Sequence, residues 1–183
     1  MASVLVPLAQ GCEELEAVTV VDLLRRAGIE VVTAGLDAQP VTASRGMKLL
    51  PDMTLDMALQ QHFDMVVLPG GLPGADHLRD DPRVIRLLQN MAASEGYTAA
   101  ICAAPRVLAR AGLLDGKRAT SYPGALDIET IPGIQYLEAA VVTDGRVITS
   151  RGPGTAMDFA LALIETLVGK TRRDEVEAGL QRA

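Results

Sequence analysis

The sequence predicts an α/β fold: a mostly parallel sheet with helices on both faces. Two observations point there. Apolar runs of strand length alternate with segments of helical spacing along all 183 residues. Aromatics are scarce, with no Trp, two Phe and three Tyr, while hydrophobic residues make up 49%. The core must therefore be built from Val, Leu, Ile, Ala and Met, which suits strands buried on both faces.

The elements follow in order. Val4–Leu8 is the first strand. Glu14–Ala27 has apolar residues at helical spacing and stops at Gly28, a natural position just past a helix end. Ile29–Ala34 is a β-branched strand, and residues 40–53 read as two short strands turning at Arg45-Gly46. Asp52 or Thr54 caps a brief helix through Gln61. Met65–Leu68 is a fully apolar strand running into Pro69-Gly70-Gly71. Asp81-Pro82 opens a helix to about Ser94. Tyr97–Ile101 is a strand, followed by a helix with Pro105 in its first turn that ends near Gly112. Ala119–Ser121 is a short strand. Ala139–Thr143 and Arg146–Ser150 flank Asp144-Gly145, a strong hairpin signal. Thr155–Val168 is a long apolar helix, and Arg172–Leu180 a charged, exposed one.

With no repeat and no linker, residues 1–183 form one domain. The net charge of −6 and the missing aromatics argue against nucleic-acid partners. No apolar run approaches membrane-spanning length, so no membrane partner is expected. The first residues read as a strand rather than a signal peptide, which implies the cytoplasm. Cys12 and Cys102 are then expected as free thiols. Neither CxxC nor HxxxH spacing occurs, so no zinc site is expected.

In such folds, sites collect at the carboxyl ends of the strands. Cys102 lies there, on a sharp strand-to-helix turn. Unpaired N–H groups and the positive helix end favour an anion, so the thiolate should be accessible at neutral pH. The Gly70-Gly71 loop reads either as a tight turn or as an oxyanion hole. In the second case an N–H of Gly70 or Gly71 joins that of Ala103. A dinucleotide cradle fails, because the spacing is not GxGxxG. Glu13 and Glu14 complement the helix dipole on a solvated surface. Glu16 sits deeper, between apolar Leu15 and Ala17. A carboxyl buried near the thiol has a raised pKa and can pass a proton. His62 and His77 read as surface histidines, and Cys12 as an incidental or modulating thiol.

Four stretches together resemble the ThiJ/PfpI superfamily: Gly11-Cys12-Glu13-Glu14-Leu15-Glu16-Ala17, Val66-Val67-Leu68-Pro69-Gly70-Gly71, Ala99-Ala100-Ile101-Cys102-Ala103-Ala104-Pro105 and Thr149-Ser150-Arg151-Gly152-Pro153-Gly154-Thr155. The nearest branch is that of the Parkinsonism-associated protein deglycases and their bacterial YajL-like relatives. The resemblance implies a flavodoxin-like three-layer sandwich and a homodimer. It implies Cys102 as reactive, oxidation-prone nucleophile and Glu16 as the protonated carboxyl bonded to it. Gly70, Gly71 and Ala103 would line an anion pocket. Arg25, Arg26, Arg45, Gly152 and Pro153 would lie near that pocket or the dimer edge. Tyr122 stands where several members carry a histidine, so a Cys-His-acid protease triad is not supported.

The elbow cysteine, Glu16 and the resemblance together give an expected function. It is a cofactor-free enzyme acting on small aldehydes such as methylglyoxal, or on glycated proteins (a glutathione-independent glyoxalase or protein deglycase). The rival is a non-catalytic redox sensor or chaperone whose cysteine becomes a sulfinate.

Overall fold

The chain alternates between the layers of its fold. β1 (Ser3–Leu8) leads into α1 (Glu14–Arg26), then β2 (Glu30–Gly35). Short β3 (Val41–Thr42) and β4 (Lys48–Leu49) pair with each other, before β5 (Met53–Thr54) and one turn of helix, α2 (Leu55–Ala58). β6 (Met65–Leu68) is followed by α3 (Gly74–Asp80) and α4 (Pro82–Ala93). β7 (Tyr97–Ile101) runs into α5 (Pro105–Arg110). β8 (Arg118–Ala119) and β9 (Gln135–Tyr136) form a small separate pair. β10 (Val141–Asp144) and β11 (Val147–Ser150) are the hairpin, and α6 (Ala156–Val168) and α7 (Lys170–Gly179) close the chain. The computed structural model describes residues 1–182.

The main sheet has seven strands in the order β10-β11-β7-β6-β1-β2-β5. Every pairing within it is parallel except that of the hairpin. One face packs Val4, Val6, Met65, Val67, Ala99, Ile101 and Ile148 against α1 and α6, with Phe159 and Leu24 fully buried between them. The other face packs Leu5, Val66, Leu68 and Ala100 against α2 to α5, where Leu55, Leu78, Leu88 and Leu108 are fully buried. This is the expected sandwich of helix, sheet and helix layers. Period-2 alternation within β1 decides which side chain joins which layer.

Three elements differ from the sequence reading. α3 falls in what read as loop, because its apolar signal is only Ala75 and Leu78. The short strand read at Ala119–Ser121 is β8, which covers Arg118–Ala119 and pairs with β9. α7 is exposed over most of its length, as read, but is also docked: Val176 is buried, and Arg172 donates from Nε to Ala27 O (3.0 Å) and from Nη2 to Arg26 O (3.1 Å). Those bonds satisfy carbonyls at the end of α1. No helix among the described residues is long and apolar enough to cross a membrane.

Strand order reverses direction at β1. From β1 the chain moves outward to β2, then returns to lay β6 on the other flank. The loops after β1 and β6 meet at the carboxyl edge, where the Glu13 N–H donates to Gly70 O (2.9 Å) and the Gly74 N–H to Gly11 O (3.3 Å).

Candidate active site

Cys102 follows β7 at that edge, with φ of +63°, a left-handed conformation that a residue with a Cβ avoids. The bend is held from both sides. The Cys102 N–H donates to Ser150 O of β11 (3.0 Å), and its carbonyl accepts from the Tyr122 N–H (2.9 Å). A strained backbone fixed by neighbouring strands presents the side chain at one angle. The residue is 9% exposed and borders a cleft of about 580 Å³.

Glu16 reaches the thiol from α1. The helix starts at Glu13, whose carboxylate accepts from the Leu15 N–H. Its inner face carries Glu16 and Ala17 towards the sheet, and Glu16 is fully buried. Oε2 accepts from the Gly70 N–H at 2.8 Å. Oε1 is buried with no hydrogen-bond partner, and the Cys102 thiol lies beside the carboxyl. Burial pushes the Glu16 carboxyl up to about 7; the bonds from Gly70 and Cys102 act in the opposite direction.

The sulfur does not behave as the sequence suggested. Burial, then the charge of Glu16, then the hydrogen bond to it, push the Cys102 thiol up to about 12. N–H groups of Gly71 and Ala103 lie against the sulfur and pull the other way without prevailing. The expected resting thiolate is corrected to a thiol. Desolvation beside an acid outweighs a helix end, and α5 is only a six-residue helix. The carboxylate and thiol thus form a proton-sharing pair, with the acid poised near neutrality.

A second correction concerns the anion pocket. Gly70 donates its N–H to Glu16, so the donors at the sulfur are Gly71 and Ala103. Gly70 is needed for closeness instead: a Cβ there would lie 2.7 Å from Cys102 Cβ and 2.8 Å from Ile101 O. Gly71 has φ of +85°, and a Cβ on it would sit 2.3 Å from Glu13 N.

Glu14 is not a solvated dipole partner. It is buried and accepts from the Arg45 N–H (2.9 Å) and Ser44 Oγ (3.1 Å), pinning the turn between β3 and β4. That turn brings Arg45 to the cleft, which Tyr122 and Pro153 also line. Gly152 adjoins it: a Cβ there would meet Tyr122 Cδ2 at 3.3 Å. Arg25 and Arg26 lie elsewhere. Arg25 pairs with Asp52 (3.0 Å) beside a separate surface cleft, and Arg26 pairs with Asp22 (2.9 Å). His62 and His77 are exposed. Cys12 is fully buried, its thiol pushed up to about 12 by burial and by Glu14. Both cysteines are free. Among the described residues no group of three or more His, Cys, Asp or Glu is placed to hold a metal.

The sequence reading missed Arg106, which also lines the cleft. Its signal was present: it stands in the first turn of α5, the helix that opens just after the Cys102 bend.

The arrangement of the sheet and its helices has a known counterpart. The model of the DJ-1/PfpI family matches residues 2–166. The chain belongs to the DJ-1/PfpI family. Protein dj-1beta of Drosophila melanogaster is 46% identical over 180 residues, spanning 97% of this chain and 96% of that protein. The crystal structure of Drosophila melanogaster DJ-1beta superposes with a TM-score of 0.94, covering 100% of this chain and 98% of that one. The protein named glutathione-independent glyoxalase DJR-1.2, from Caenorhabditis elegans, is 38% identical over 175 residues, spanning 96% of this chain and 92% of its own. The DJ-1/PfpI assignment agrees with the resemblance read from the four sequence motifs. The flavodoxin-like sandwich is the fold shared with those DJ-1 structures.

Proposed function

We propose that this DJ-1/PfpI protein is a cofactor-free, cysteine-dependent enzyme that acts on small reactive carbonyls as a glutathione-independent glyoxalase. The observation that carries the reading is the buried Glu16 carboxylate beside the thiol of a strained, cleft-facing Cys102. Glu16 takes the thiol proton as sulfur bonds to the aldehyde carbon of methylglyoxal, giving a hemithioacetal. The Gly71 and Ala103 N–H groups that face the sulfur are the nearest donors for the new oxyanion. Glu16 passes the thiol proton to that oxyanion and, a carboxylate again, carries the proton from the former aldehyde carbon to the neighbouring carbonyl carbon, as the hydroxyl proton passes to the second oxygen. One carbon is oxidised and the other reduced, leaving a thioester of lactate. Water hydrolyses it, and the thiol returns. The same attack on early glycation adducts of proteins is deglycase activity. The similarity to a protein named a glutathione-independent glyoxalase supports this substrate class. A cytoplasmic setting goes with it, since free thiols persist there.

Proton NMR of methylglyoxal with the purified protein, without glutathione, is expected to show lactate forming faster than in buffer. Lactate at the buffer rate overturns the reading.

A homodimer is part of the proposal. Val18 and Leu50 are 46% and 81% exposed and share a surface cleft, with Leu15, 50% exposed, one turn earlier on α1. Apolar side chains gathered on one helix face favour a second copy of the chain. Light scattering at micromolar concentration is expected to give twice the chain mass; a monomer refutes it.

A further inference from the structure

We propose that Arg106 makes the cleft selective for reactive carbonyls that carry a carboxylate, above all 2-oxo aldehydes whose chain ends in one. The inference rests on the carbonyl reading above and names its substrate class.

Arg106 and Cys102 line the same cleft. The Arg106 side chain is 23% exposed, and its Nη1 donates to Asp76 Oδ1 at 2.9 Å. That contact anchors the guanidinium without neutralising it, because the same oxygen accepts from Arg79 Nη1 at 2.9 Å. Nε of Arg106 is buried and has no protein acceptor. A buried N–H without a partner is uncommon enough to require an explanation. With Nη1 tethered and Nε closed to solvent, Nη2 is the nitrogen left to meet a ligand, and its N–H donates a charge-assisted bond to a carboxylate oxygen.

The surroundings favour an anion too. Arg45 lines the cleft, and its guanidinium has no acceptor among the described residues. The lining acid is Glu13, whose carboxylate already accepts from Ser44 Oγ at 2.8 Å. Among the lining residues two guanidiniums face one carboxylate, with Asp76 behind Arg106 and the Glu16 carboxylate behind the thiol. Methylglyoxal, with three carbons and no charge, uses neither the guanidinium nor most of a 580 Å³ cleft.

The probe is 4,5-dioxopentanoate, which is methylglyoxal with a carboxymethyl group in place of one methyl hydrogen. The chemistry is unchanged. Sulfur bonds to the aldehyde carbon and hydrogen shifts to the adjacent carbonyl carbon. Water then releases 2-hydroxyglutarate and one proton, with no external oxidant or reductant.

The quantity to measure is kcat/KM for 4,5-dioxopentanoate divided by that for methylglyoxal. We expect the wild-type ratio to exceed one. In Arg106→Ala it is expected to fall about tenfold, mainly through KM, the size of one lost charge-assisted pair. Arg106→Lys keeps the charge beside Asp76 but loses the Nη2 donor, and is expected to fall part of the way. If Arg106→Ala does not fold, Arg106→Lys carries the test. Equal ratios in wild type and variant overturn the proposal. If the wild type turns over neither compound, the carbonyl reading fails separately. The subsite is then read by calorimetry with 2-hydroxyglutarate. Binding weakened in the Arg106 variant upholds it, and binding that is absent or equal overturns it.

Discussion

Cys102→Ala is expected to reduce lactate formation from methylglyoxal to the buffer rate, a loss of about a thousandfold or more, because no other group supplies the covalent step. Cys12 is no substitute: it is fully buried and does not line the cleft. The fold should survive. The variant removes one sulfur from a site already 9% open, and it leaves the left-handed bend in place, since alanine also carries a Cβ. The bend is imposed by bonds through the backbone of Ser150 and Tyr122, which the side chain does not touch. Unfolding free energy is therefore expected to change by less than about 1 kcal/mol. Cys102→Gly is a poorer control, because glycine adopts positive φ freely and would relax the strain that aims the residue. Lactate measured by NMR, beside a urea unfolding curve, separates the two effects. A folded alanine variant that still makes lactate at the wild-type rate would move the chemistry off this cysteine.

The fold was legible because its signals are local. Fully apolar Met65–Leu68 and Tyr97–Ile101 declare buried strands, and Asp144-Gly145 declares the hairpin. Within the site, a cysteine between a strand and a proline-led helix declares the bend, although nothing in the residue type announces φ of +63°. What the sequence cannot carry is the balance of opposing electrostatic effects. Dipole and donors suggested a thiolate; burial and Glu16, brought from a distant helix, decide for the thiol. Likewise Glu14 looked like a surface charge until the turn from Ala43 to Met47 closed over it. Gly70 looked like an oxyanion donor until Glu16 claimed its N–H. Each miss involves a partner more than thirty residues away, as with Glu14 and Arg45 at a separation of 31. Arg25 and Arg26, expected near the pocket or the dimer edge, end α1 while the pocket lies at its start, and Arg25 lines the surface cleft that Val18 and Leu50 share.

Glu16→Gln is expected to lower turnover by about a hundredfold or more while making the thiol more acidic, a combination that distinguishes a base from a mere neighbour. Burial is the largest cause of the raised thiol value, and the Glu16 charge is the next. Removing that charge brings the thiol down from about 12, though burial keeps it above the ordinary range. If Glu16 only suppressed the thiolate, the variant would react faster. If Glu16 accepts the proton as sulfur attacks, the variant reacts slower despite the easier ionisation. Stability carries a second signature. The carboxyl rises from 4.5 to about 7 on folding, so the folded state binds its proton more tightly. The resulting stabilisation is complete below pH 4.5, fades as pH rises, and is gone above the folded value near 7. Over that window the unfolding free energy of the wild type should drop by about 3 kcal/mol from this group, at 1.36 kcal/mol per unit. Glutamine has no proton to lose, so Glu16→Gln should flatten this part of the profile and leave the rest. Urea unfolding at intervals across the window, with thiolate absorbance followed in the ultraviolet, reads both effects. A profile equally steep in the variant, or a thiol that does not become more acidic, would show that Glu16 and Cys102 do not share a proton.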